Sequence, residues 1–121
     1  MRSSFFVLLF FLTFTGCSAQ NDSKSITTIE LKALLEKEQI QLLDVRTPKE
    51  IEKGFIKTAR FANYFDYDFF KQASKQLDKN KAVYLYCRSG NRSGKSAKIL
   101  QEKGYNVYNV LGGYNQWKKE N

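Results

Sequence analysis

The feature that most constrains the fold of this chain is an alternation of strand-like runs and helical segments over most of its length. Residues 42–45, 82–86 and 106–110 are short runs rich in aliphatic, aromatic and β-branched side chains, and a weaker run covers residues 59–62. Segments with helical spacing lie between these runs. Strands that alternate with helices in this way predict an α/β domain with a doubly wound parallel sheet.

Two capping boxes mark where the first helices begin. In residues 27–30 and again in residues 47–50, a threonine is followed three positions later by a glutamate, so each side chain can bond the other residue's backbone N–H. Pro48 takes the first helical position of the second helix, where its missing N–H costs nothing. Further helices are predicted after Asp66 or Asp68, over residues 93–103, and over residues 114–119.

The N-terminal residues have the composition of a secretory signal. Arg2 is the only charged residue before Asp22, and residues 5–12 form an apolar run that is too short to span a bilayer comfortably. Cys17 follows residues 14–16 (Phe-Thr-Gly), and this segment resembles a bacterial lipobox in which Phe replaces the usual Leu. The resemblance implies cleavage before Cys17 and lipidation of that cysteine.

These expectations divide the chain into three parts. Residues 1–16 are predicted to be a lipoprotein signal peptide, residues 17–25 the lipidated cysteine with a polar tether, and residues 26–121 the folded domain. A lipid on Cys17 would anchor the protein in the bacterial cell envelope, on the periplasmic or outer face of a membrane. Two alternatives remain open: an ordinary signal peptide with a coincidental cysteine, and an uncleaved membrane anchor.

The composition of the chain excludes several kinds of active site. There is no His, which excludes His-based acid–base catalysis, Cys–His pairs and His-ligated zinc or haem. The two Cys are too few for a disulfide scaffold or for a metal site with four cysteine ligands, and we expect no metal. The net charge of +8 favours anionic partners.

The segment after the clearest strand combines a thiol, a glycine and two arginines. Cys87 directly follows the run at 82–86, and the partial positive charge at the start of the next helix favours its thiolate form. With Gly90 relaxing the backbone, the loop can curl so that several N–H groups point inward and cradle an anion. Cys87 is the predicted nucleophile, and the predicted cradle consists of Arg88, Ser89, Gly90, Asn91, Arg92 and Ser93.

The spacing of Cys87 and Arg92 limits which anion fits the cradle. Cysteine-based phosphatases use the pattern C-x5-R, whereas here the sixth residue after Cys87 is Ser93, so the loop is one residue shorter. A shorter loop suits one extra sulfur atom, a persulfide on Cys87, better than a phosphoryl group. No base is needed, because a thiolate is already nucleophilic. Phosphatase or arsenate reductase activity stays open as an alternative.

Three motifs in this chain resemble those of the rhodanese family of sulfurtransferases. The resemblance rests on the loop 87–93, on residues 43–46 (Leu-Asp-Val-Arg) with Glu50 and Gly54, and on residues 111–113 (Leu-Gly-Gly) with Trp117. It covers residues 26–119 and implies a single rhodanese-like domain with a five-stranded parallel sheet and helices on both faces. One stretch departs from the family pattern. Residues 54–59 are Gly-Phe-Ile-Lys-Thr-Ala where the family has Gly-His-Ile-Pro-Gly-Ala.

The resemblance implies a sulfurtransferase whose persulfide forms on Cys87. A small anionic donor such as thiosulfate would deliver a sulfane sulfur, and cyanide or a thiol would accept it, with no cofactor. The backbone N–H groups of residues 88–92 would stabilise the persulfide, and the two arginines of the loop would attract the donor. Asp44 and Arg46 are expected to form a structural ion pair at the end of their strand.

A non-catalytic persulfide carrier or anion-binding module that serves a partner protein is the main alternative to an enzyme. After lipidation of Cys17, Cys87 would be the only free thiol, so an external thiol or a thiol reductant protein would have to regenerate it. We expect no nucleic-acid partner, because no basic arm or recognition motif is present. Anionic lipid or anionic sulfur compounds account for the positive charge more simply.

Overall fold

A computed structural model describes residues 24–121, which form five strands and five helices. The strands pair in the order β1-β5-β4-β2-β3, and every pairing is parallel. This arrangement confirms the predicted five-stranded, doubly wound parallel sheet. The strands are β1 (Lys24–Ile26), β2 (Gln41–Asp44), β3 (Arg60–Phe61), β4 (Val83–Tyr86) and β5 (Val107–Val110).

The helices pack on both faces of this sheet. They are α1 (Thr28–Lys37), α2 (Pro48–Glu52), α3 (Phe69–Ser74), α4 (Asn91–Glu102) and α5 (Gly113–Glu120). The predicted signal peptide, Cys17 and residues 18–23 of the predicted tether lie outside the described residues. Within residues 24–121, no helix combines the length and the apolar character needed to cross a bilayer.

Strand β4 lies between the two halves of the apolar core. Its Val83 and Leu85 belong to the cluster on the α3 and α4 face, whereas Tyr84 and Tyr86 belong to the cluster on the α1 and α5 face. Successive side chains of a strand point to opposite faces, so a central strand that is apolar throughout serves both clusters. This placement brings the loop after Tyr86 to the middle of the sheet's carboxyl edge.

Strand β1 is an element that the sequence patterns do not indicate. Lys24 and Ser25, assigned to the tether from their polarity, pair with β5 at the edge of the sheet. Both residues are exposed, and only Ile26 of this strand is buried. A three-residue edge strand needs backbone partners more than apolar side chains, so it leaves little trace in the hydrophobic pattern.

Both predicted capping boxes are present. The Thr27 hydroxyl accepts from the Glu30 N–H at 3.1 Å, and the Glu30 carboxylate accepts from the Thr27 N–H at 3.1 Å. Thr47 and Glu50 make the same reciprocal pair at the start of α2. Asp68 does occupy the N-cap position of α3, but its side chain makes no capping bond and instead accepts from Gln72.

Residues 56–59 form a β-turn, closed by a hydrogen bond of 3.0 Å from the Ala59 N–H to the Ile56 carbonyl. Thr58, the third residue of this turn, has a φ of 77° and is the only non-glycine residue with positive φ among residues 24–121. Type II turns favour glycine at this position. The turn therefore forms although Lys57 and Thr58 stand where the family pattern has Pro and Gly, and the strain falls on a β-branched residue.

Replacing Thr58 by glycine is expected to stabilise the protein. Relief of roughly 1–3 kcal/mol of backbone strain exceeds the roughly 0.5–1 kcal/mol of extra chain entropy that glycine loses on folding. Thr58→Gly should therefore raise the free energy of unfolding by about 1 kcal/mol in urea titrations. The matched control Lys57→Gly, at the preceding exposed position without positive φ, should lower it by about 0.5–1 kcal/mol. Equal destabilisation by both variants would contradict the assignment of strain.

Candidate active site

The predicted nucleophile lies where β4 ends and the chain turns toward α4. Cys87 is a free cysteine with 1% of its surface exposed, and it packs with the core residues of the α3 and α4 face. Helix α4 begins at Asn91, earlier than the predicted start at Ser93, because Gly90 adopts a φ of 107° and turns the chain sharply into the helix. The loop between strand and helix therefore wraps closely around the sulfur.

Backbone N–H groups and one hydroxyl surround the Cys87 sulfur. The Gly90 N–H donates to Sγ at 3.1 Å, and the Ser93 Oγ lies 3.4 Å from Sγ. Burial is the largest single influence on the pKa of Cys87 and raises it. Hydrogen bonds from the N–H groups of Ser93, Gly90 and Ser89, and from the Ser93 hydroxyl when its proton points at the sulfur, together outweigh burial, so this pKa lies below its ordinary value.

The other side of the loop is held by the start of α5. The Tyr114 N–H donates to the Cys87 carbonyl at 2.8 Å, and the Asn115 N–H donates to the Arg88 carbonyl at 3.0 Å. A Cβ at Gly113 would lie 2.6 Å from the Cys87 carbonyl oxygen, so only glycine permits this approach. The Leu-Gly-Gly motif seen in the sequence thus brings α5 against the back of the loop that follows Cys87.

Arg92 is paired rather than free. Its guanidinium binds both carboxylate oxygens of Glu50, at 2.7 and 2.8 Å. The hydrogen bond from Arg92 is the largest influence on Glu50 and, with bonds from Thr47, lowers its pKa to about 2 against the opposing effect of burial. The pair therefore ties α2 to α4 beside the loop. The side chains of Arg88, Ser89 and Asn91, in contrast, are at or near the surface.

Asp44 and Arg46 form the buried ion pair expected at the end of β2. The Arg46 Nη2 lies 2.6 Å from the Asp44 Oδ2 and also donates to the Gly54 carbonyl at 2.8 Å. The guanidinium stacks over the Tyr114 ring at 4.3 Å from its centroid. This pair fixes the turn after β2, the end of α2 and the face of α5 relative to one another.

Two polar side chains of the site, Tyr86 and Asn109, were not predicted from the sequence. The buried Tyr86 hydroxyl accepts from the Ile56 N–H at 3.0 Å, and its burial raises the pKa of Tyr86. Asn109 on β5 bonds both Ser93 and Gly90. An asparagine inside an otherwise apolar strand was the available signal for the second of these, since a polar residue there requires partners.

A cavity of about 240 Å³ opens beside the loop, between α2 and α5. Within residues 24–121, three of the cations at this cavity, Lys53, Arg88 and Lys118, form no salt bridge with a carboxylate. The described part of the chain contains no group of three or more His, Cys, Asp or Glu side chains that could hold a metal ion. The cavity's lining includes Arg46, Glu50, Lys53, Arg88, Tyr114 and Lys118.

The fold and the site together define an α/β domain with a cysteine held in an N–H cradle at the carboxyl end of a central strand. Residues 27–120 match the family model described as a rhodanese-like domain. The chain belongs to the rhodanese-like family.

Several relatives carry sulfurtransferase names. The putative sulfurtransferase YtwF of Bacillus subtilis is 37% identical over 98 residues, which cover 80% of this chain and 92% of that protein. The thiosulfate sulfurtransferase GlpE of Coxiella burnetii is 32% identical over 96 residues, covering 78% and 87%. A crystal structure of a rhodanese-like domain protein from Staphylococcus aureus is 38% identical, with a TM-score of 0.70 over 78% of this chain and 90% of that one.

The Glu50–Arg92 pair is expected to make stability depend on pH in acid. Because folding lowers the pKa of Glu50 from 4.5 to about 2, its contribution is complete above about pH 4.5 and is lost as pH falls toward 2. Glu50→Gln should lower the free energy of unfolding by about 1–2 kcal/mol at neutral pH, after allowance for partial exposure of the pair. Urea titrations across this range should show the gap to wild type closing in acid.

The matched control is Glu52→Gln on the same helix, an exposed residue that forms no salt bridge within residues 24–121. It should change stability little at any pH. A gap between wild type and Glu50→Gln that stayed constant down to pH 2 would contradict the ion pair's role.

Proposed function

We propose that this protein is a sulfurtransferase that moves a sulfane sulfur from a small anionic donor, such as thiosulfate, to cyanide or a thiol through a persulfide on Cys87. The observation that carries the proposal is the donation of the Gly90 N–H to Sγ at 3.1 Å, in a loop whose N–H groups lower the pKa of the thiol. The sulfurtransferase names of relatives at 32–37% identity support the same class of reaction.

In the first proposed step, the Cys87 thiolate attacks the outer sulfur of thiosulfate. A new S–S bond forms on Cys87, the S–S bond of thiosulfate breaks, and sulfite leaves with its electron pair. The product is a persulfide anion, so one negative charge remains on the enzyme. The negative charge then lies on the terminal sulfur, one bond further out than Sγ, where N–H groups of the loop would stabilise it.

In the second proposed step, the acceptor attacks the terminal sulfur of the persulfide. With cyanide, a C–S bond forms, the S–S bond breaks toward Cys87, and the products are thiocyanate and the original thiolate. No proton, metal or redox cofactor enters either step, which agrees with a chain that lacks His. Cys87 is the only cysteine in residues 24–121, so with Cys17 lipidated an external acceptor or a thiol reductant protein takes the sulfur.

The cavity beside the loop is the proposed entry for the anionic donor. Lys53, Arg88 and Lys118 line it, whereas the charge of Arg46 is matched by Asp44 and that of Arg92 by Glu50. Unmatched positive charge in a concave surface raises the local concentration of small anions. On this account Arg88 attracts the donor directly, and Arg92 acts mainly by supporting the loop.

Cys87→Ser tests the mechanism. Incubation with thiosulfate and cyanide should yield thiocyanate over many turnovers for the wild type, and the serine variant should lose more than about a thousandfold of that rate. Mass spectrometry of the wild type with thiosulfate alone should show the added mass of one sulfur. Retained activity in Cys87→Ser would refute the proposed nucleophile.

The same pair of measurements separates the enzyme from the alternative persulfide carrier. A carrier would gain the mass of one sulfur on Cys87 but would release it slowly to cyanide, without multiple turnovers. The 1% exposure of Cys87 gives this alternative a physical basis, since a shielded persulfide is one that a specific partner protein must collect.

The charges of the cavity are tested by neutralising them singly. Lys53→Gln and Lys118→Gln should each raise the KM for thiosulfate by roughly two- to fivefold, because each removes a partly screened attraction worth about 0.3–1 kcal/mol. Added salt should shrink the difference from wild type. Lys98→Gln, an exposed position on α4 outside the cavity lining, is the matched control and should leave KM unchanged. Equal effects of all three substitutions would mean that the cavity has no special role.

A further inference from the structure

The Ser93 hydroxyl stands between two possible acceptors of its proton. Its Oγ lies 2.6 Å from the Asn109 Oδ1 and 3.4 Å from the Cys87 Sγ, and Ser93 is fully buried. A hydroxyl has one proton to donate and two lone pairs that accept. It therefore cannot donate to Asn109 and to a Cys87 thiolate at the same time.

The orientation of the Asn109 amide decides where this proton lies. The Asn109 Nδ2 lies 3.2 Å from the Gly90 carbonyl oxygen, which has no proton and can only accept. The amide nitrogen must face that carbonyl, so the amide oxygen faces Ser93. Because an amide oxygen cannot donate either, the short contact between Asn109 and Ser93 requires the Ser93 hydroxyl as its donor.

We propose that Asn109 is a positioning residue of the sulfur cradle. Its amide oxygen accepts the single hydroxyl proton of Ser93, holds that proton away from Cys87, and so weakens the stabilisation of the Cys87 thiolate by the cradle. This inference deepens the proposed function, because it concerns the same nucleophile. In the thiol form, the S–H of Cys87 can donate to a lone pair of Ser93 while Ser93 donates to Asn109. All three groups are then satisfied in one chain of hydrogen bonds.

Ionisation of Cys87 breaks this chain. The thiolate has no proton to offer, and the Ser93 hydroxyl can donate to it only by giving up its 2.6 Å hydrogen bond to the amide oxygen of the half-buried Asn109, which costs free energy. The Ser93 hydroxyl lowers the pKa of Cys87 only while its proton points at the sulfur. Asn109 competes for that proton, so its amide oxygen opposes thiolate formation.

The charged groups near the cradle lie on α4, on α2, at the end of β2 and in the loop itself. Arg92 on α4 is close enough to Cys87 for electrostatic attraction, and it is paired with Glu50 on α2. The Asp44–Arg46 pair lies at the end of β2, and Arg88 lies in the loop itself. None of these groups changes when Asn109 is replaced, so they form a constant background for the experiment.

The test is the apparent pKa of Cys87, measured from the rate of alkylation by iodoacetamide as a function of pH. Asn109→Ala removes the competing acceptor and should lower this pKa by about one unit. Asn109→Asp keeps an acceptor near Ser93 and adds negative charge, so it should raise the pKa by about one unit or more. Gly90 keeps a partner in either variant, because its carbonyl also accepts from the Gly94 N–H at 3.0 Å.

The Ser93→Ala background is the decisive control. If Asn109 acts through the Ser93 proton, Asn109→Ala should shift the pKa in the presence of Ser93 and leave it unchanged in Ser93→Ala, a non-additive cycle. A purely structural role would loosen the Gly90 N–H donor, which would raise the pKa in both backgrounds. A raised or unchanged pKa in Asn109→Ala, or an equal shift in both backgrounds, overturns the proposal.

Circular dichroism of each variant checks the fold before titration. If Asn109→Ala does not fold, Asn109→Val makes the same deletion with a residue that suits a strand, and its pKa is judged by the same outcomes. The alkylation assay needs no sulfur donor, so its result is independent of thiocyanate production. A wild type without turnover whose variants show the predicted pKa pattern would refute the sulfurtransferase proposal and retain the role of Asn109.

Discussion

The structure of the site depends on how the backbone of residues 87–90 divides its polar groups between two directions. The Gly90 N–H points inward to the Cys87 sulfur, and the carbonyls of Cys87 and Arg88 point away to N–H groups of α5. Both sets of bonds exist only because Gly90 turns with a positive φ and Gly113 has no side chain to keep α5 away. Buried backbone groups that lack partners are costly, so the loop and α5 stabilise each other's position.

The charges near the loop fall into two groups with different physical roles. The Asp44–Arg46 and Glu50–Arg92 pairs are internally neutralised, and they join β2, α2, α4 and the face of α5 around the sulfur. The exposed cations at the adjoining cavity have no such partners within residues 24–121. Paired charges position a site without adding much field, whereas unpaired ones supply the field that small anions meet first. Arg92, the arginine that defines the C-x4-R spacing of the loop, is therefore paired with Glu50 and joins α4 to α2 beside the loop.

Local sequence signals predicted much of this fold, whereas the elements that depend on partners far away in the chain were missed. Both threonine–glutamate capping boxes, the central strand and the loop that follows it have their cause within a few residues of sequence. Strand β1 depends on β5, which lies more than eighty residues away, and its own residues are polar. Asn109 also depends on non-local partners, since Gly90 lies in the loop and Ser93 on α4. The positive φ of Thr58 shows that a turn can persist when its usual residues are absent, because its flanking elements are already fixed.

The amino-acid sequence by itself determined the alternation of strands and helices, the starts of α1 and α2, and the place of Cys87 directly after the central strand, because period, capping and motif spacing are local properties. Only the tertiary structure decided which N–H groups face the sulfur, that Arg92 belongs to Glu50, and that Asn109 and Cys87 meet at one hydroxyl. These are matters of direction and distance between groups far apart in the chain. A parallel sheet brings the carboxyl ends of its strands together at one edge. Local sequence patterns do not predict which side chains then meet there, such as the two acceptors of the Ser93 hydroxyl proton.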